Sequence, residues 1–188
     1  MRVADHRIIE PIAVRLAVLR PATLADAPAL AALAREAFSA AFAPLYAPAD
    51  LAAFFAAWKT PEHFRTIIAD PVQRVCVSDD GGRILAYCVI ALGKGFDERP
   101  APRPARPVTL SQIYTDPRAT GQGLGAALLE WALAEARAWQ ADAVQLSVFS
   151  ENFAAQRFYR RRGFTHVADI DFWVGNHRDH EFLYELPL

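Results

Sequence analysis

The chain has 188 residues, of which 53% are hydrophobic and 22% charged, with a formal net charge of −1. That length buries one sizeable core and is short for two, and so small a net charge supplies no long-range field to draw in nucleic acid or anionic lipid. The longest apolar stretch, Ile84 to Leu92, is about half of what a bilayer span requires, and the first residues lack the apolar middle of a signal peptide, so a soluble, cytoplasmic protein is expected.

Residues 1–12 are mixed and without pattern, and are read as an N-terminal tail before a single domain over 13–188. Val14 to Leu19 read as a first strand. Thr23 is placed to cap a helix in which Leu30, Leu33, Ala34, Ala37 and Phe38 follow an apolar stripe at helical spacing. Pro44 ends that pattern, and Pro48 and Pro61 open two shorter helices near Ala49 to Trp58 and Glu62 to Ala69. Arg74 to Val77 and Ile84 to Leu92 flank the turn Asp79-Asp80-Gly81-Gly82 and predict an antiparallel hairpin whose second strand, apolar throughout, is central. Cys76 and Cys88 lie in these apolar runs, where cysteine serves as a small buried hydrophobe rather than a nucleophile or a disulfide partner.

Gly93 to Pro107 is proline-rich and charged, which excludes helix and inner strand; it is either a surface insertion or a flap over a substrate. Val108 to Thr115 then read as a strand, Gln122 to Ala138 as a helix with Leu124, Leu128 and Trp131 inward, and Ala143 to Phe149 as a strand parallel to the previous one. Asn152 to Arg162 form a last helix ended by Gly163, and Phe164 to Trp173 and Glu181 to Leu186 close the chain as strands. The order predicts an α+β fold: a mixed, mostly antiparallel sheet of about seven strands, with one right-handed βαβ crossover.

At that crossover the sequence reads Arg118-Ala-Thr-Gly121-Gln122-Gly123-Leu124-Gly125-Ala126. Three glycines in five residues between strand and helix make an anion cradle, because glycine reaches backbone angles that let successive N–H groups converge at a helix start. A nucleoside triphosphate is excluded, since no Lys-Ser or Lys-Thr follows the second glycine. Gly121, Gly123 and Ala126 satisfy a dinucleotide fingerprint, with Glu151 as a ribose acid, but too little chain follows for the further βαβ units such a fold needs.

Two motifs narrow the reading. Arg118-x-x-Gly121-x-Gly123 after Ile113-Tyr114-Thr115-Asp116-Pro117 resembles the acyl-CoA loop of the GNAT superfamily of N-acetyltransferases. One helix and one strand further on, Asn152-Phe-Ala-Ala-Gln-Arg-Phe158-Tyr159-Arg-Arg-Arg-Gly163-Phe164 resembles that superfamily's second signature. The closing strand and the segment Ala43 to Asp50 are more loosely similar to small-amine and polyamine acetyltransferases.

The resemblance implies a GNAT fold with helices on both sheet faces, in which the two parallel strands splay and hold acetyl-CoA, with no metal. It implies coenzyme contacts from Ile113, Tyr114, Thr115, Asn152, Ala155 and Phe158, from the loop Gly121 to Ala126 including Gln122, Leu124 and Gly125, and from Arg118, whose side chain is otherwise a surface charge. Asn152 is both helix cap and coenzyme contact. Tyr159 is implied as the acid that protonates the leaving thiolate, the alternative being a half-buried helix aromatic. The place where many relatives carry a basic Glu holds Thr109, so deprotonation is open to a held water, to a residue from elsewhere, with Glu151, Asp169 and Asp171 as acidic candidates near strand ends, or to an amine that arrives neutral. The acceptor is expected to be a small primary amine held by Phe42, Tyr46 and Trp58, the Gly93 to Pro107 loop and the last strands. A protein amine, or a non-catalytic acyl-CoA sensor, is the alternative, and a homodimer fits the family.

Overall fold

The computed structural model describes residues 17–188; the expected tail, residues 1–12, and the start of the expected first strand, 14–16, lie outside the described residues. In chain order the elements are β1 (Val18–Pro21), α1 (Ala27–Phe42), α2 (Pro48–Trp58), α3 (Pro61–Ala69), β2 (Gln73–Asp79), β3 (Ile84–Leu92), β4 (Pro107–Thr115), α4 (Leu124–Ala138), β5 (Ala143–Phe149), α5 (Phe153–Arg160), β6 (Thr165–Val174) and β7 (His177–Pro187). Proline lies in the first turn of α1, α2 and α3, where its missing N–H has no helical partner to lose. Thr23 opens a 3-10 turn over Leu24–Asp26, so α1 begins later than the cap spacing predicts.

The strands form one seven-stranded sheet in the order β1-β2-β3-β4-β5-β7-β6. Every neighbouring pair is antiparallel except β4 and β5. This is the expected GNAT architecture, with the two faces of β3 serving two cores. Cys76, Ala86, Cys88 and Ile90 point toward α4, where Leu128, Leu129 and Leu133 are buried. Val75, Val77, Tyr87 and Val89 point the other way, toward Leu30 and Leu33 of α1 and Phe64 and Ile67 of α3. Burying each such leucine contributes about 2 kcal/mol. A strand covered on both faces carries apolar residues at every position, hence the unbroken run in β3. The two cysteines sit opposite each other on β2 and β3, buried and free.

Two irregularities shape the middle of the sheet. Val89 pairs with Gln112 and Ile90 with Leu110, so Ser111 is an extra residue bulging from β4. Strands β4 and β5 pair only over Pro107–Thr109 and Ala143–Gln145. Beyond that register their facing edges diverge, leaving backbone N–H and C=O groups that need partners from elsewhere.

The Gly93 to Pro107 loop is fastened where the two strands are still joined. The Phe96 N–H donates to Gln145 Oε1 at 3.0 Å, Arg99 forks onto Glu185 at 2.8 and 2.9 Å, and the Thr109 hydroxyl donates to the Lys94 carbonyl at 2.8 Å. Of the two readings open for it, the surface insertion is the one its position supports.

Candidate active site

The diverging strands open a cavity of about 1030 Å³. Leu110 to Thr115 form one wall and Leu146 to Phe149 the other, with Asn152, Ala155 and Tyr159 of α5 between them. The cavity continues past the strand ends into a half-open space lined by α1, α2 and the β6–β7 hairpin. Ile113, Tyr114, Thr115, Asn152, Ala155 and Tyr159, all expected at the site, thus share one cavity.

The glycine loop starts at its rim, where Pro117 and Thr120 belong to the wall. Gly121 and Gly123 both have φ of +80°, and Gly123 is the N-cap of α4 in left-handed conformation. Helix α4 therefore begins at Leu124, two residues after the expected Gln122, because a left-handed residue cannot continue a right-handed helix. The first return bond runs from the Ala127 N–H to the Gly123 carbonyl at 3.0 Å, so the N–H groups of Leu124, Gly125 and Ala126 have no acceptor within the helix. With the positive end of the helix dipole added, this turn suits an anion.

Arg118 is occupied elsewhere. Its Nε donates to Asp116 Oδ1 at 3.0 Å and its Nη2 to Asp116 Oδ2 at 3.1 Å, and the same guanidinium lies 3.2 Å from Glu36. Asp116 is buried, accepts also from the Arg118 N–H and from Arg83, and its carboxyl is held down at about 2, chiefly by Arg118. Arg118 therefore ties down the start of the loop, and its charge is shared with two carboxylates. Phe158 does not reach the cavity wall; it packs on the core with the Arg162 guanidinium 4.3 Å above its ring. That position is core packing and leaves the expected coenzyme contact of Phe158 without support.

Asn152 caps α5 by accepting from the Ala155 N–H at 3.1 Å. The cap fixes the helix whose Tyr159 is 6% exposed and lines the cavity, wedged edge-on between the rings of Phe158 and Phe164. Burial, then the neighbouring Cys88 and Tyr114, push its phenol above the ordinary range, so it holds its proton at any physiological pH.

The far end of the cavity is aromatic and charged. Phe38, Phe42, Tyr46, Phe54 and Trp58 from the helical segments face Phe172 and Trp173 of β6. Gly175 at the hairpin turn seats against α2, with the Asn176 N–H donating to Asp50 Oδ1 at 2.8 Å. Three charged residues of this wall were not anticipated. Lys59, 4% exposed at the end of α2, donates from Nζ to Gln112 Oε1 at 2.8 Å and lies 5.1 Å from the Tyr114 ring centroid; burial lowers its ammonium to about 8. Asp179 accepts from the Tyr46 hydroxyl at 2.5 Å and stands 3.3 Å from His177 Nε2. Glu181 is 9% exposed. The available signal was the period-two pattern of β7, in which Asp179, Glu181, Leu183 and Glu185 share the inward face.

The acidic candidates named from sequence lie elsewhere. Glu151 is exposed and outside the cavity wall. Asp169 faces His166 and His180, and Asp171 pairs with Arg178, on the exposed side of the β6–β7 hairpin. Thr109 is absent from the wall as well. Phe42, Tyr46, Trp58 and residues of the last strands share the aromatic end of the cavity, but no residue of the Gly93 to Pro107 loop joins them.

A sheet split at a parallel pair, with an anion turn at its rim, defines a class, and residues 30–164 match the model of the acetyltransferase (GNAT) family. The chain belongs to that family and is an N-acetyltransferase by class. It is similar to an uncharacterized N-acetyltransferase from the pepI 3′ region of Lactobacillus delbrueckii subsp. lactis, 26% identical over 163 residues that cover 87% of this chain and 92% of that one. Among solved structures it superimposes on the PaiA N-acetyltransferase of Thermoplasma acidophilum in complex with coenzyme A, with a TM-score of 0.72 at 16% identity, covering 91% of this chain and 98% of the other. The ribosomal-protein-S18-alanine N-acetyltransferase of Escherichia coli gives 0.65 at 20% identity, covering 90% and 92%. Among the described residues no helix is long and apolar enough to cross a membrane.

Proposed function

We propose that the protein transfers an acetyl group from acetyl-CoA to the primary amine of a small molecule by direct attack through a tetrahedral intermediate. The observation that carries this reading is the continuous cavity, with strand backbone and Tyr159 at one end and an aromatic, acid-lined chamber at the other. The residues fit coenzyme A on two grounds. The left-handed glycine turn leaves N–H groups free for a pyrophosphate, and a Cβ added at Gly121 or Gly123 would meet nothing within 4 Å, so the turn is open to a ligand. The unpaired edges of Leu110–Thr115 and Leu146–Phe149 offer amide partners to pantetheine. Bound acetyl-CoA supplies an activated thioester carbonyl; the rest of the chemistry falls to the chain.

Backbone N–H groups near Ile113 and Tyr114, just past the bulge, stabilise the oxyanion as charge develops on the carbonyl oxygen. Tyr159, protonated at neutral pH, donates to the departing thiolate. Asn152 holds α5, and so Tyr159, in place. Phe42, Tyr46 and Trp58 receive the acceptor, their ring faces suiting a cation. The small-molecule reading rests on the lining of that end of the cavity, where aromatic rings and the Asp179 and Glu181 carboxylates suit a compact cation. The experiment is free-thiol release from acetyl-CoA across a panel of mono-, di- and polyamines, an aminoglycoside and an N-terminal peptide. Turnover with small amines and not the peptide supports the reading; peptide-only turnover, or acetyl-CoA binding with no turnover, overturns it.

A further inference from the structure

Direct attack requires a neutral amine, yet a primary alkylamine reaches the site as an ammonium, and β4 carries no carboxylate to deprotonate it. The cavity wall nevertheless holds a carboxylate oxygen with nothing to bond. Glu181 is 9% exposed, it lines the cavity, and its Oε2 is buried without a hydrogen-bond partner among the described residues. A buried carboxylate in that state is costly unless something with protons completes it. The residues around it are not themselves cations: Asp179 on the same strand, Tyr46 from the turn before α2, Tyr114 from β4 and Ser147 from β5. Glu181 also pairs in register with Phe149 of β5, a residue of the donor-side wall, so it stands where the acceptor chamber meets the strand gap.

We propose that Glu181 receives the acceptor's ammonium and acts as the general base that takes its proton. The assignment rests on the acetyl-transfer reading above. Of the other groups on this wall, Asp179 already accepts from Tyr46 and faces His177, Lys59 is a cation that repels an incoming ammonium, and His63 is packed against the rings of Trp58 and Phe64 beside Lys59. The proton count closes with two groups. One ammonium proton goes to Glu181 and then to solvent; the amine nitrogen attacks the thioester carbon and a C–N bond forms. As the intermediate collapses the C–S bond breaks, Tyr159 protonates the sulfur, and the second nitrogen proton restores the phenol, leaving an amide and a free thiol. Burial, eased by Ser147 and reinforced by Asp179, raises the Glu181 carboxyl above its ordinary value and so makes it the stronger base. The acceptor class that follows is a primary alkylammonium, its charge facing Glu181 and Asp179.

The test is Glu181→Gln, which keeps the shape, assayed for thiol release across pH with two acceptors: an alkylamine that is protonated at neutral pH and a weakly basic amine already neutral there. With the alkylamine at pH 7 the variant is expected to lose about a hundredfold in kcat/KM. Its rate should climb about tenfold per pH unit toward the amine's own pKa, in place of the wild-type limb set by the carboxylate. With the weakly basic amine the deficit should shrink to about threefold or less. Unchanged acetyl-CoA binding by calorimetry shows that the variant is folded. An unaltered pH profile with the alkylamine, or an equal loss with both acceptors, removes Glu181 from proton transfer. A wild-type protein inert toward every amine overturns the acetyl-transfer reading and this assignment with it.

Discussion

The donor side and the acceptor side proposed for the cavity are built from different materials. The donor side, from β4 through α5, is mostly backbone: two diverging strand edges, a left-handed glycine turn and a helix N-terminus. The acceptor side is mostly side chains from segments far apart in sequence, such as Tyr46 and Asp179, hydrogen-bonded across 133 positions. A backbone site recognises what many ligands share, a pyrophosphate and an amide chain. A side-chain site recognises what is particular to one.

That contrast orders the variants to make. Tyr159→Phe stands at the junction and should have the largest effect. Turnover is expected to fall well over tenfold, toward the ~100-fold typical of a lost general acid, with acetyl-CoA affinity unchanged; undiminished turnover removes the phenol from the mechanism. Gly175→Ala comes next. The added Cβ would lie 2.5 Å from the Asp50 Cα, at a φ of +61°, so unfolding by urea should show a loss of roughly 2 kcal/mol. Tyr46→Phe strips a donor from the buried Asp179 and should lower stability by about 1–2 kcal/mol.

Arg118→Ala should be the mildest in its effect on stability at pH 7, because the guanidinium is largely exposed and Arg83 still reaches Asp116. Its pH dependence gives the sign. The Asp116 carboxyl is held below its unfolded value of 3.8, at about 2, so the stability it supplies is complete above the unfolded value and is lost as pH falls through the folded one. The gap between wild type and Arg118→Ala should therefore close in acid; a gap that widens below pH 4 contradicts the pairing.

The same contrast explains what the sequence discloses. Donor features come from short continuous stretches: Gly121 and Gly123 announce a turn, Asn152 a cap, and Tyr159 stands out through the resemblance of the stretch Asn152 to Phe164 to the family's second signature. The parallel pair follows from the strand-helix-strand alternation around the glycine turn, and β3 is recognisable as central from its unbroken apolar run. The acceptor chamber exists only after α2 and the β6–β7 hairpin meet. Lys59, between Trp58 and Thr60, reads as a helix-end surface charge until Gln112 and Tyr114 close over it. Asp179 and Glu181 are hidden among Arg178 and His180, polar neighbours that point outward. Asp169 and Asp171 were the more visible acids for the opposite reason, alternating with apolar residues on β6, and their alternation places them on the solvent face. The expected role of the Gly93 to Pro107 loop fails similarly, since Arg99 and Phe96 bind it to the joined end of the strands.

The division itself is tested most directly by two-substrate steady-state kinetics on Gly123→Val and Tyr46→Phe. Valine at a left-handed position distorts the turn without filling any occupied space, so Gly123→Val should raise the KM for acetyl-CoA about tenfold and leave the KM for the amine within about twofold. Tyr46→Phe should do the reverse. Michaelis constants for both substrates that move together in either variant would contradict a donor site made of backbone and an acceptor site made of side chains.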